Sequence, residues 1–265
     1  MNKLDPISWI PHFFLEIYKK LTASEKEAIE IWCETYEINS LKDLDELEIH
    51  EVINNFEFIS IQKGRYTQFY SINKILFIIE AIQILGFDIK KLSSLINYSG
   101  FEQLIEEIVM RNGYITIKNF RFSDKSYYRK KMQQTKYEID VIGWKENYIL
   151  LIDSKQWKKR NIYNALNKAA NLQNQRVFIL KKNPEILSDL IQSLIGKNCY
   201  LKIKLPLIMI PVIVTFEENW MLLNENLVPL VSIYKLNSFL QELKLNLSNF
   251  KVFKLNKLSI QKQII

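Results

Sequence analysis

The chain has few of the residues on which several common active sites depend. Only two histidines, His12 and His50, occur among its 265 residues, so a histidine-rich zinc centre or a Ser-His-Asp triad is hard to build. The two cysteines, Cys33 and Cys199, lie far apart and form no Cys-x-x-Cys pair, which is typical of ordinary thiols in a reducing compartment. A catalytic site in this chain would therefore have to be built from carboxylates, lysines and a bound metal ion.

Glycines and long apolar runs are also scarce. The six glycines do not have the spacing of a Walker loop or of a dinucleotide-binding fingerprint, which excludes the common nucleotide cradles. The most apolar run, residues 205–216, contains two prolines and is shorter than the roughly 20 residues that cross a bilayer. No signal-peptide pattern opens the chain. We therefore expect a soluble, cytoplasmic protein that makes no membrane contact.

Charge is distributed unevenly along the chain. Residues 1–100 hold 10 basic and 15 acidic side chains, whereas residues 101–265 hold 26 basic and 14 acidic ones. Within the second part, residues 118–160 carry 12 basic and 5 acidic side chains, with aromatic residues between them. Such a segment is typical of a surface that binds a polyanion. A solvated lysine-rich face would have the same composition, so charge alone does not decide between the two.

The first hundred residues have mainly helical periodicity. A Ser-x-x-Glu capping box at residues 24–27 predicts the start of the second helix, and Lys63-Gly64 predicts a tight turn between two strands. The predicted order is helices over 7–20, 24–36 and 40–55, a β-hairpin over 56–72 and a helix over 73–85. Three helices followed by a hairpin is the element order of a winged-helix domain.

The helix that would read DNA in such a domain is unusually acidic. Residues 41–55 contain five carboxylates and a single lysine, and phosphates would repel that surface. We therefore favour protein contact or dimerisation for the N-terminal domain over direct duplex binding, with plain structural packing as a further alternative.

From residue 99 the pattern alternates between helices and strands. An α/β core with a central mixed β-sheet flanked by helices follows from that order. We predict three regions: a helical, winged-helix-like domain over 1–98, an α/β domain over 99–245 and a basic tail over 246–265. The predicted elements are helices over 101–111, 161–175, 184–195 and 236–243, and strands over 114–122, 137–143, 148–155, 176–181, 208–216 and 228–233.

Three charged residues lie where a predicted hairpin enters the core. Asp153 and Lys155 are two residues apart on one strand, so their side chains share a face. If Gly143 pairs with Tyr148, Asp140 lies opposite Leu151 on that same face, with Glu138 beside it. Asp140 and Asp153 would then be roughly 7–8 Å apart, a separation at which two carboxylates can hold one divalent ion. A one-residue slip of the register would separate them.

The position of these charges needs an explanation, because the second strand reads as buried. Residues 149–152 are all apolar, and burying Asp153 and Lys155 beside them costs several kcal/mol unless they are paired or bind a metal. A structural Asp–Lys pair would account for these two residues alone. Asp140 and the flanking basic segments favour a functional site.

The order Asp140…Asp153-Ser154-Lys155 resembles the signature of the PD-(D/E)XK nuclease superfamily, an acid followed by a hairpin and Asp/Glu-x-Lys. The helix that begins Phe101-Glu102 and ends at Gly113-Tyr114 is similar to the first core helix of restriction-endonuclease-like members. Glu-x-Asp at residues 138–140 also occurs in the Holliday-junction-resolvase-like branch. Ile139 stands where the signature has proline, and no Gln-x-x-x-Tyr follows Lys155. The resemblance covers residues 99–240.

This resemblance implies a restriction-endonuclease-like core and a metal-dependent nuclease that hydrolyses phosphodiester bonds, with DNA as the expected substrate and a homodimer as a possible assembly. It implies Mg²⁺ or Mn²⁺ held by Glu102, Asp140, Asp153 and the Ser154 carbonyl, with Lys155 as a further catalytic residue. The alternatives are an inactive nuclease-fold module that binds DNA or a protein partner, and a transcription regulator that uses the hairpin as a wing. The nucleic-acid contacts are expected at Arg129, Lys130, Lys131, Lys158, Lys159 and Arg160, and possible additional site residues are Glu138 and Gln173.

Overall fold

The computed structural model of the chain describes residues 6–84, 89–123, 136–156, 162–196, 203–216, 218 and 222–258. Contacts along the chain divide it into two compact units, Met1–Leu104 and Ile105–Ile265. The division falls within one helix, Tyr98–Arg111. Each unit is described by itself.

The first unit contains a small antiparallel sheet and several helices. Its strands lie in the order β1-β3-β2, and its core is a cluster of phenylalanine rings that includes Phe13, Phe14 and Phe77, with centroids 5 to 6 Å apart. The described elements are α1 (Pro6–Ala23), β1 (Glu30–Glu34), α2 (Glu46–Ile53), β2 (Ile59–Lys63), β3 (Gln68–Asn73), α3 (Lys74–Ile84) and α4 (Ile89–Ser93).

The predicted helix over 24–36 is wrong, because residues 30–34 form strand β1. The Ser24 hydroxyl donates to the Leu21 carbonyl at the end of α1, so it does not cap a following helix. The β-prone residues from Ile31 to Cys33 instead pair with β3, where Cys33 lies opposite Tyr70 in the core. The order of this unit is therefore helix, strand, helix and hairpin, and not three helices followed by a hairpin.

The acidic helix of the first unit is shorter than the predicted range 40–55. It is α2, and Asp45 caps it by accepting the backbone N–H of Glu48, whose carboxylate in turn accepts the N–H of Asp45. Glu46 also lies in the first turn, where the positive end of the helix dipole favours carboxylates. The acidity of this helix is therefore partly a capping device.

The second unit is built on a mixed six-stranded sheet in the order β4-β5-β6-β7-β8, with β9 paired to β7. Strands β4, β5 and β6 are antiparallel neighbours, whereas β6, β7 and β8 run parallel. This confirms the predicted α/β class with a central mixed sheet. The elements are α5 (Tyr98–Arg111), β4 (Ile115–Ser123), β5 (Lys136–Lys145), β6 (Tyr148–Lys155), α6 (Ile162–Lys182), α7 (Pro184–Ile195), β7 (Leu207–Thr215), β8 (Leu230–Ser232), α8 (Ile233–Asn246) and β9 (Phe253–Leu255).

The predicted strand over 176–181 is also wrong, since α6 continues without a break to Lys182. Gln173, Val177 and Leu180 are fully buried at helical spacing, so the stripe facing the core continues through the segment. Val177 and Leu180 pack in one apolar core with residues of the sheet and of α7. The β-branched residues of this segment favour a strand locally, but packing of α6 on the sheet decides the outcome.

The β5–β6 hairpin has a tighter register than predicted. Gly143 lies opposite Leu150, and not opposite Tyr148 as we expected, and Lys145 is paired with Tyr148. Continuing this register brings Asp140 opposite Asp153 rather than Leu151. The ladder is displaced by two residues, so the strand parity on which the prediction depended is unchanged. The side chain of Val109 in α5 lies so close to Gly143 that a Cβ there would be 2.8 Å from it.

The C-terminal residues, for which the sequence predicted only a basic tail, contain the short strand β9. Its residues Phe253–Leu255 pair antiparallel with the start of β7. Among the helices that the structure describes, none has the length and apolar character needed to cross a bilayer.

Cys33 is a buried thiol of the first unit. The side chain is 6% exposed, and burial raises the pKa of this thiol to about 11. In a Cys199→Ser variant at pH 8, we expect a thiol-reactive reagent such as DTNB to label the native protein slowly, since only about one thiol in a thousand is ionised at that pKa. Unfolding in guanidinium should restore rapid labelling. Rapid labelling of the native variant would contradict the burial of Cys33.

Candidate active site

The ladder between β5 and β6 ends at the pair formed by Val141 and Ile152, and Asp140 is the next residue of β5 beyond that pair. Oδ2 of Asp140 accepts two hydrogen bonds from Ser154, one from the backbone N–H at 2.7 Å and one from the hydroxyl at 2.8 Å. Both residues are buried. On the other neighbouring strand, Asn119 has a positive φ of 53° between two residues paired with β5. Asp140 therefore lies at a local distortion of the sheet.

Asp153 is the most deeply buried carboxylate of the site, with its side chain 3% exposed, and two cations contact it. Nη1 of Arg176 donates to its Oδ1 at 2.5 Å. Nζ of Lys155 lies 2.7 Å from Oδ2, but it is not aligned for a hydrogen bond, and Oδ2 accepts none from the described residues. A buried carboxylate is stable only with such charge compensation.

A fully buried amide holds Arg176 in place. Nε2 of Gln173 donates to the backbone carbonyl of Leu151 at 2.8 Å, and its Oε1 accepts from Nη1 of Arg176 at 3.2 Å. Gln173 and Arg176 are three residues apart on α6, so their side chains project from one face of the helix. Helix α6 is thereby joined to β6 at two points, the carbonyl of Leu151 and the carboxylate of Asp153.

An open groove of about 690 Å³ lies beside this cluster. Arg176 forms part of its wall together with Glu138, which is two residues before Asp140 on β5. The remaining lining residues are Phe120, Arg121, Phe122, Ser123, Lys136, Tyr137, Ile186 and Asp189. Arg176 thus both contacts the buried carboxylate of Asp153 and lines the groove.

The other predicted site residues fall into two groups. Glu138 pairs across the strands with Arg121 at 3.1 Å and is about 40% exposed. Glu102 is buried in α5 within the first unit, and its part as a third metal ligand stays a prediction. The predicted phosphate contacts lie outside the described residues, and they are Arg129, Lys130, Lys131, Lys158, Lys159 and Arg160.

Arg176 is the site residue that the sequence reasoning missed. It was assigned to a strand, in which no relation to Gln173 is apparent. The available signal was the position three residues after Gln173, together with two apolar residues at helical spacing beyond it. Extending the helix to Lys182 would have placed Gln173 and Arg176 on one face.

The donor set is chemically suited to a hard divalent cation, although no group of three or more acidic, histidine or cysteine side chains that could hold a metal occurs among the residues described. Mg²⁺ is commonly bound by one or two carboxylates, with water and substrate phosphate completing its shell. Two buried carboxylates on adjacent strands meet that description. The Oδ2 atom of Asp153 accepts no hydrogen bond from described residues, but a metal ion there would have to displace the Lys155 ammonium, which lies 2.7 Å away.

Comparison with protein families gives an independent indication of function. Residues 97–214 match the model of NERD, the nuclease-related domain. The matched segment includes Asp140, Asp153, Lys155 and Arg176, and it accounts for a little under half of the chain. The match to NERD supports a nuclease-like fold and a nuclease-related function for this segment. No curated protein matches the chain.

Among solved structures, the chain is similar to protein VC1899 from Vibrio cholerae, with 13% sequence identity and a TM-score of 0.30. The aligned region covers 92% of this chain and 53% of that protein. The chain therefore spans about half the length of VC1899.

The Ser154 hydroxyl should contribute measurably to stability through Asp140. We expect Ser154→Ala to lower the free energy of unfolding by about 1 to 3 kcal/mol, because it removes a buried hydrogen bond to a charged group. Urea denaturation followed by tryptophan fluorescence measures the change. The control is Ser188→Ala, since the Ser188 hydroxyl is buried and has no hydrogen-bond partner among the described residues. Equal losses in the two variants would contradict the role of Ser154.

Proposed function

We propose that the chain is a metal-dependent nuclease that hydrolyses phosphodiester bonds, with DNA as its substrate. The observation that carries the proposal is the cluster of Asp140, Asp153 and Lys155 at the end of the β5–β6 ladder, inside the segment that matches NERD. The order of these residues is that of the PD-(D/E)XK signature, and the mixed sheet is compatible with a restriction-endonuclease-like core.

Asp140 and Asp153 would hold the metal, with the Ser154 carbonyl and Glu102 as proposed additional ligands. Mg²⁺ or Mn²⁺ bound there would supply a Lewis acid that lowers the pKa of a water molecule and neutralises charge on the phosphate. The hydrogen bonds from Ser154 to Oδ2 of Asp140 orient that carboxylate before any metal binds. Oriented ligands lower the cost of ordering the site.

Lys155 would act on the reacting atoms. Its side chain is about 20% exposed, so the ammonium can reach both the buried carboxylate and a substrate at the surface. Near Asp153 Oδ2 it can donate a hydrogen bond to the attacking water or to the phosphate oxygen on which negative charge develops. A fixed cation in a partly buried position stabilises such charge better than one in bulk water.

The uneven distribution of charge along the chain supports the proposed substrate and partners. The basic segment 118–160 favours a polyanion, and we propose that the predicted basic residues on both sides of the hairpin contact the DNA backbone. The first unit has the strand order β1-β3-β2 and an acidic helix α2, which supports a winged-helix-like unit used for protein contact or dimerisation. A homodimer would place two active sites on one duplex.

The rival proposal is a catalytically inactive nuclease-fold module that binds DNA or assembles with a protein partner. It is favoured by the ion pairs of Asp153, because Arg176 and Lys155 already compensate the charge that a metal would neutralise. The two proposals differ in one measurable respect, cleavage of nucleic acid in the presence of Mg²⁺ or Mn²⁺.

Cleavage of plasmid and of labelled oligonucleotides tests the proposal. We expect the wild type to cut in Mg²⁺ or Mn²⁺ and to be inactive in EDTA. Asp153→Asn and Lys155→Ala should each lower the rate by about 100-fold or more, as loss of a charge acting on the transition state does. Thermal melting must show that both variants are folded, since Asp153→Asn leaves two partly buried cations without their partner.

A matched control is Lys235→Ala, which removes a lysine from an exposed ion pair with Glu218 in the same unit. It should cut at the wild-type rate. Cleavage at equal rates by all folded variants would overturn the assignment of the active site. Absence of cleavage on every substrate, with tight and salt-sensitive binding retained, would favour the inactive module.

A further inference from the structure

We propose that the groove beside Asp153 binds an unpaired nucleotide of the substrate strand and that Arg176 is the residue that binds its phosphate. The inference rests on the proposed function for the identity of the ligand, a nucleic acid strand. It assigns a binding role to Arg176, a positioning role to Gln173 and a single-stranded region to the substrate.

Arg176 has hydrogen-bond donors on two sides of its guanidinium. The two hydrogens of Nη1 are used, one by Oδ1 of Asp153 and one by Oε1 of Gln173. Within the described part of the chain, Nε and Nη2 donate to no acceptor. These two nitrogens form the edge of the guanidinium that suits a phosphate, because their N–H groups are parallel. Arg176 is thus fixed on one side and available on the other.

The Arg176 side chain is held in place before any ligand binds. Its side chain is only 19% exposed, and the fully buried Gln173 links it to the backbone of β6. A surface arginine loses rotamer entropy when it binds a phosphate, whereas a side chain already held by two acceptors loses little. An arginine needed only to neutralise Asp153 would not need to form part of a groove wall.

The groove has the size and lining expected of a binding site for a nucleotide base. Its volume of about 690 Å³ lies in the range of pockets that take small organic ligands. Phe120, Phe122 and Ile186 give it an apolar wall, and the rings of Phe120 and Phe122 are stacked with centroids 5.8 Å apart. An apolar, aromatic wall next to a cation matches a base next to its phosphate.

The groove suits an unpaired nucleotide rather than a base-paired one. In a duplex the bases are stacked inside the helix, so a base can enter a groove in the protein only if it is unpaired or extruded. The groove carries three basic and two acidic side chains, and Arg121 is already paired with Glu138 at 3.1 Å. Its net charge is therefore small, and the strand is held there by one arginine and by apolar contact rather than by a broad positive surface.

Binding in EDTA tests this inference independently of cleavage. The probes are a fluorescein-labelled 20-nucleotide single strand and a blunt duplex of the same length, measured by fluorescence anisotropy over a range of salt concentrations. We expect the wild type to bind the single strand more tightly. Arg176→Gln should weaken that binding by about tenfold and reduce the slope of log K against log salt by about 0.7, the value for one phosphate contact of a single strand.

Two further variants separate binding from folding. Arg176→Lys keeps the positive charge beside Asp153 but loses the parallel N–H groups, so we expect a protein that is still folded, as its melting curve shows, with weaker single-strand binding. Arg111→Gln is the matched control, since it removes one arginine from a surface pair with Glu107 and does not line the groove. It should leave the affinity for the single strand unchanged.

The inference is overturned if a folded Arg176→Gln variant binds the single strand with wild-type affinity and salt dependence. It is also overturned if single strand and duplex lose affinity equally, because the contact would then not require an unpaired nucleotide. Retained Arg176-dependent binding in a protein that cuts nothing would overturn the proposed nuclease activity and leave the groove assignment standing.

Discussion

The site is organised by the need to compensate the buried carboxylate of Asp153. A charge this far from water is costly, and the second unit compensates it with Lys155 on the same strand and Arg176 on α6. Because Arg176 belongs to a different element, the ion pair also determines where α6 packs against the sheet. Gln173 adds a neutral contact from the same helix face to Leu151. The contacts that compensate the charge of Asp153 therefore also hold α6 against the sheet.

The two carboxylates lie on adjacent strands and take part in different contacts. Asp140 accepts neutral donors, the amide and hydroxyl of Ser154, whereas Asp153 is contacted by two cations. A metal ion bound between them, as proposed above, would compete with Lys155 and Arg176 for Asp153. On that proposal the metal affinity would be coupled to the strength of these ion pairs, and a change that weakens either ion pair would make Asp153 bind the metal more tightly.

How much of this was predictable from sequence depends on whether the information is local. The alternation of helices and strands after residue 99 is local, and it predicted the hairpin and the α/β class. The spacing of Asp153 and Lys155 and the strand parity of Asp140 are also local, and they predicted a shared face although the register was displaced by two residues. Strand β1 was missed because its pairing with β3 lies about forty residues away in sequence. The end of α6 was missed because β-branched residues favour a strand locally, while burial of Val177 against the sheet favours the helix. Arg176 was missed as a site residue because it lies in the part of α6 that was predicted to be a strand.

Arg176 connects the carboxylate to the groove, so the two parts of the site cannot act independently. When its guanidinium is held by Asp153 and Gln173, its remaining donors have a defined direction, and an anionic phosphate that accepts them would partly neutralise the guanidinium and weaken its attraction for Asp153. The negative charge left on Asp153 is then less compensated and attracts a metal ion more strongly. Conversely, a metal ion on Asp153 would weaken its ion pair with the guanidinium and make the arginine a better donor to phosphate. On these proposals, strand binding in the groove and metal binding at the carboxylate would reinforce each other, and linkage requires that this coupling be the same in both directions.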